Sequence, residues 1–216
     1  SPVGKVAAAN GPGQEDHKHY GRRVRYLDLV NEGANLNSVF IGLHEPSAPG
    51  GLISVRSARR LEVPAEAGPA AVALAVDTAW GSYLILSEFT GETEVEGVRF
   101  QGKLGIFGKD AGGQPWLLAC GASTLRGEGL GFSGRPPVWT GVATAKTERA
   151  LTGSGRPADW SDPPAGSQSW VLLNDGAFDT GYPVSATAAD KITVERFPIP
   201  AAAAGAFRLY SLFRGR

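Results

Sequence analysis

A chain of 216 residues with 21 basic and 21 acidic side chains carries no formal net charge, which excludes an overall electrostatic footprint for nucleic acid or an anionic membrane. With 30 glycines, 15 prolines and only 19% charged residues, it favours many short strands over helices, which would need more leucine, glutamate and lysine. No apolar run approaches the roughly 20 residues that span a bilayer, and the N-terminus lacks the basic-then-apolar pattern of a signal peptide.

Residues 1–21 read as an extended arm or linker, small and polar at first and without a core of their own. The chain holds no methionine, so Ser1 is not a translation start and the expectation is a processed or excised piece of something longer. Toward Arg25 the side chains become dense in function: His17, His19, Tyr20, Arg22, Arg23 and Arg25 crowd together where a first strand enters the core. Residues 31–37 are loop by composition.

The strand that organises the reading is Ser38-Val39-Phe40-Ile41-Gly42-Leu43-His44-Glu45-Pro46, whose alternation predicts a mostly buried strand ended by Pro46. Further strands are expected at 52–55, 59–63, 70–76, 83–86, 92–100, 104–107, 116–119 and 125–132, with Gly112-Gly113 supplying a hairpin turn. Spacings of about 8 to 12 residues predict an all-β, antiparallel sandwich over residues 22–134. Gly134-Arg135-Pro136-Pro137 marks a boundary. Beyond it, residues 135–216 predict a smaller β meander packed on the first region, with strands at 138–144, 170–173, 182–186, 191–197 and 207–210 and a long loop at 153–168.

The single Cys120 cannot make an internal bridge and reads as a small buried hydrophobe. His17 and His19, two apart on an extended segment, point to one side and with Glu15 or Asp16 are the candidate ligands of a divalent metal, the third ligand unassigned. The alternative for them is a solvated polar run. Trp80, Trp116, Trp139 and Trp170 border or lie in strands and read as core, which leaves Trp160, in a Pro/Gly loop, as the tryptophan for stacking on a sugar face. There is no phosphate-cradling glycine loop before a helix, no Gly-x-Ser-x-Gly elbow and no paired-cysteine metal spacing, which disfavours nucleotide chemistry and serine hydrolysis.

The apolar strand running into His44-Glu45-Pro46, followed by 72–76 with 83–87, by 100–107 and by 119–125, resembles the C-terminal β-domain of the heparinase II/III-like polysaccharide lyases over roughly residues 36 to 134. The resemblance implies β-elimination on uronic-acid-containing glycans by a whole protein whose acid and base sit mainly on an α-helical toroid. No toroid is present in this chain, so no catalytic residue is named and the chain alone is expected to be inactive. Its partners are then an anionic polysaccharide and a missing N-terminal helical catalytic portion, in a secreted or periplasmic setting. Elimination next to a uronate needs a base, a donor and cationic help for the carboxylate, so His19, Tyr20, Arg22, Arg23 and Arg25 are residues of the right type to touch substrate. In the band 38–46, His44 and Glu45 are read as a hydrogen-bonded corner rather than as catalytic. The alternative is a non-catalytic extracellular β module that binds carbohydrate or self-assembles, its N-terminal arm adding to a neighbour's sheet edge.

Overall fold

The computed structural model of the chain describes residues 5–12, 23–30, 41–43, 45, 53–134, 136–158, 160, 169–174, 179–195, 199 and 205–215. It divides into two compact units, Ser1–Pro46 and Ser47–Arg216.

In the first unit, β1 (Lys5–Pro12) pairs antiparallel with β2 (Arg23–Val30), from Lys5 opposite Val30 to Pro12 opposite Arg23. The expected arm at 1–21 therefore contains a strand. Its alanine-rich sequence carries little β propensity by itself, and it is the valine- and leucine-bearing β2 that supplies the partner. Pro12 stands at the strand's end, where a missing N–H is tolerated. The expected buried strand at 38–46 is not found among its described residues: Ile41, Gly42 and Leu43 lie outside any strand and are exposed. Apolar alternation makes a strand only where a neighbour accepts its hydrogen bonds. Phe40, His44 and Pro46 lie outside the described residues.

The second unit is all-β and antiparallel, as the strand spacing predicts. Its described residues form one twelve-stranded sheet. The first half is a meander: β3 (Val55–Leu61), β4 (Val72–Thr78), β5 (Gly81–Val95), β6 (Val98–Asp110), β7 (Pro115–Gly127) and the short β8 (Leu130–Phe132). Three neighbouring strands change register along one line, where Phe89 faces Gly102 and Gly102 faces Ala122. Glu88 and Gly121, both at φ 59°, sit on that line. Before it, β5 buries Leu84 and Leu86, at even positions; after it, Phe89, Thr93 and Val95, at odd ones. The flip falls at Glu88, whose left-handed φ turns the pleat over while the pairing continues from Ser87 opposite Leu104 to Phe89 opposite Gly102, so the same face stays inward while the strand bends.

The bend folds the sheet over itself. A Cβ at Gly127, beyond the bend on β7, would stand 3.0 Å from the Phe107 ring of β6 and 3.0 Å from Val98 Cγ2. Between the two layers lies a core that includes Leu84, Phe100, Phe107, Leu117 and Leu125.

The second half comprises β9 (Val138–Lys146), β10 (Ala150–Gly153), β11 (Ser169–Asn174), β12 (Asp179–Ala188), β13 (Lys191–Val194) and β14 (Ala206–Gly215). These follow the order β11-β12-β13-β10-β9-β14, and β14 also pairs with β11, which closes a six-stranded barrel. Among the described residues the expected meander thus has no free edge of its own, because β14 returns between first and last strands. The barrel interior is centred on fully buried Trp139, in edge contact with Phe207 at 5.5 Å and Trp160 at 6.1 Å. Phe207 fits because it lies over Gly141 and Gly153: a Cβ at Gly153 would stand 2.5 Å from Phe207 Cζ. Strand β14 joins the halves, pairing with β9 and β11 through 206–211 and with β7 from Leu212 to Gly215.

Candidate functional site

The structure separates the residues that the sequence singles out. His17, His19, Tyr20 and Arg22 lie outside the described residues. Arg23 and Arg25 occupy β2, opposite Pro12 and Asn10. Trp160 is a correction: at 7% exposure it is part of the barrel core and offers no free face to a sugar. Its Pro/Gly surroundings suggested a surface loop, but the Trp160 backbone N–H donates to the Pro157 carbonyl at 3.0 Å, a turn that leads the chain onto Trp139. Conversely, Trp80 and Trp170, read as core, are 67% and 42% exposed. Trp80 occupies the β4–β5 turn, and Trp170 points out of the barrel because Val171 and Leu173 point in.

Among the described residues, three surfaces stand out. The first is on the barrel exterior. Trp170 on β11 stands directly opposite Tyr210 on β14, and Leu172 stands opposite Arg208. Gly181 on β12 lies beside both outward side chains: a Cβ there would meet Leu172 Cδ2 at 3.2 Å and Trp170 Cε3 at 3.6 Å. One side of the ring rests on the sheet while much of the remainder is open to solvent. Lys103 on β6 approaches Tyr210 from the folded sheet, since a Cβ at Gly121 would lie 3.1 Å from Tyr210 Cδ1 and 3.2 Å from Lys103 Cγ. Lys103 Nζ donates to Glu88 Oε2 at 2.9 Å, and that hydrogen bond, with the carboxylate's charge, holds the ammonium above its ordinary range. Arg208 lies near enough to oppose that shift by charge repulsion. Two aromatic rings and two cations therefore converge on one outer surface.

The second surface is the outer face of the folded sheet. Leu74, Ile85, Ile106 and Leu118 stand in one cross-strand row over β4 to β7, ended by exposed Arg60 on β3 and Arg214 on β14. A sheet with one face on its core ordinarily alternates to polar residues on the other. Here both faces are apolar. In the adjacent row Tyr83, Gly108 and Trp116 align, and the missing side chain at Gly108 lets the Trp116 indole cross it to meet Tyr83 at 5.7 Å.

The third is a cleft of about 370 Å³ at the mouth of the folded sheet, bordered by Arg59, Asp77, Ser82, Glu96, Lys109 and Glu128. Arg59 pairs with Glu96 at 3.2 Å and Lys109 with Glu128 at 2.5 Å. Among the described residues no group of three or more His, Cys, Asp or Glu is placed to hold a metal ion.

Sequence reasoning missed Lys103, Arg208, Tyr210 and the basic strand Arg56-x-x-Arg59-Arg60. The signal for the barrel surface was present: in Phe207-Arg208-Leu209-Tyr210 strict alternation puts the apolar pair inside and Arg208 with Tyr210 outside. No family model matches the chain, and no characterised protein or solved structure matches it.

Proposed function

We propose that this chain is a non-catalytic β portion of a polysaccharide-degrading protein of the heparinase II/III-like kind, contacting uronic-acid-containing glycans and inactive on its own. The observation that carries the proposal is the barrel surface: the exposed Trp170 ring, Tyr210 opposite it, Arg208 two residues along β14, and Lys103, paired with Glu88, beside Tyr210. Sugar rings present flat C–H faces that suit an aromatic ring, and uronate carboxylates suit flanking cations, a guanidinium accepting them as a fork. Such a role goes with a secreted or periplasmic protein.

The test is binding of the purified chain to heparan, alginate and uncharged dextran by calorimetry. The expected result is salt-sensitive binding to the acidic polymers alone, weakened about five- to thirtyfold by Trp170→Ala, corresponding to about 1 to 2 kcal/mol. No unsaturated, ultraviolet-absorbing product forms. Equal binding by Trp170→Ala and unaltered protein would remove the surface from consideration.

The outer row Leu74-Ile85-Ile106-Leu118 favours a second role for the same chain, as a scaffold. Four aliphatic side chains in register form the kind of face on which a helical catalytic portion packs. Ile106→Glu would then abolish co-purification with that portion while leaving the chain folded and its glycan binding intact.

A further inference from the structure

We infer that the mouth of the folded sheet is a second ligand site, separate from the barrel surface, and that it takes one uncharged, hydroxyl-rich residue such as the terminal hexose of a glycan. The cleft measures about 370 Å³, within the range of small-molecule sites, and its floor is apolar, formed by Leu84, Val98 and Phe107. Its rim carries the polar side chains of Arg59, Asp77, Ser82, Glu96, Lys109 and Glu128, with Tyr83 beside them. An apolar floor beneath a polar ring matches a pyranose, which has C–H groups on its faces and hydroxyls around its edge.

The charge state of the rim argues against a charged ligand. Arg59 and Lys109 are each already paired, with Glu96 and Glu128, and Asp77 accepts the Ser57 hydroxyl at 2.8 Å. With Asp77 the rim holds three carboxylates to two cations, so an anion would meet net negative charge, whereas at the barrel surface Lys103 and Arg208 outnumber Glu88. Hydroxyls need not compete for the cations, since a carboxylate has about four acceptor sites and a guanidinium five donors, of which the ion pairs use a fraction.

The backbone gives an independent reason to see function here. Glu96 and Glu128 hold φ at 49° and 47°, in the left-handed region, each followed by a glycine in a tight turn. Asparagine or glycine is the unstrained choice at the first of these positions, and strained residues collect where a side chain has work to do. Both turns instead use glutamate, and both glutamates reach the same cleft from opposite hairpins, β5–β6 and β7–β8.

The experiment titrates isotope-labelled chain with methyl glucoside, methyl galactoside and glucuronate and follows the amides by NMR. Saturable shifts at Ser82, Gly97, Lys109 and Gly129 with the neutral glycosides are expected, at millimolar affinity. Ser82→Trp, which plugs the mouth from an exposed position, should abolish them while the rest of the spectrum keeps its dispersion. Asp77→Asn, a milder change, should weaken them at least about fivefold. Trp170→Ala should leave them untouched, whatever it does to acidic polymers. Absence of saturable shifts with either neutral glycoside, persistence in Ser82→Trp, or tighter binding of glucuronate at the mouth would each overturn the inference. Because the barrel surface is read by Trp170→Ala with acidic polymers, its failure and that of the mouth are told apart.

Discussion

Phe100 covers Gly105 of its own strand: a Cβ at Gly105 would stand 2.6 Å from Phe100 Cε2. In a straight strand these positions are roughly 16 Å apart and on opposite faces. Their contact therefore measures how sharply β6 turns at the Gln101/Gly102 register break. Phe100 is fully buried and also meets Phe89 edge-on at 5.2 Å, so it has nowhere to retreat. Gly105→Ala should cost about 1 to 3 kcal/mol in urea denaturation, the usual range for overpacking. An alanine variant as stable as the unaltered chain would mean that the fold-over is looser than this contact implies.

The two ion pairs at the mouth contribute less to stability than their geometry suggests. Arg59 and Glu96 side chains are 64% and 55% exposed, and exposed pairs contribute about 0 to 1 kcal/mol. Holding a glutamate in the left-handed region costs about 1 to 2 kcal/mol. Relief of strain should therefore outweigh loss of the pair: Glu96→Gly is expected to be neutral or to stabilise by up to about 1 kcal/mol, and Arg59→Ala to destabilise by less than about 1 kcal/mol. Thermal melts at low and high salt check both, and a loss above about 2 kcal/mol in Glu96→Gly would give the pair a structural weight the magnitudes do not support.

Trp139 and Trp170 are opposite cases that look alike in sequence. Trp139 is fully buried and its indole N–H donates to the Ser154 carbonyl at 2.9 Å, so Trp139→Ala should lose about 3 to 5 kcal/mol and leave that carbonyl unpaired. Trp170→Ala should change stability by about 1 kcal/mol or less, because nearly half of the side chain's environment is already solvent. Equal losses from the two variants, measured by chemical denaturation, would contradict the assignment of inside and outside.

What the sequence made legible was local: strand spacing, turn glycines and a composition that favours strands over helices. The all-β antiparallel class follows from those. The barrel does not, because closure depends on β14 finding both β9 and β11, a non-local pairing to which no periodicity points. The bend was hidden for a related reason. Glu88, Gly102 and Gly121 look unremarkable one at a time, and only the register shows that they fall on one line. Residue type also misled: histidines and clustered arginines drew attention to 17–25, while Lys103, Trp170, Arg208 and Tyr210 come from three strands widely separated in sequence and meet only once the barrel closes beside the folded sheet.

Cys120 offers a pH-dependent probe of the outer face. It stands on β7 between Leu104 of β6 and Leu212 of β14, half-buried in an apolar row. Burial pushes its thiol above the ordinary cysteine range, since the thiolate would be poorly solvated there. The native state thus holds the proton more tightly than the unfolded chain does. The contribution to stability is complete below the unfolded thiol's pKa, falls as pH rises through it, and is gone above the higher folded value. Alkylation requires the thiolate, so at mildly alkaline pH iodoacetamide should modify the native chain more slowly than the urea-unfolded chain, and the native rate should reach its midpoint at a higher pH. A native midpoint at or below that of the unfolded chain would show that Leu104 and Leu212 do not shield the sulfur. If a helical portion covers this face as proposed, its presence should slow the reaction further, which gives the scaffold role a readout independent of glycan binding.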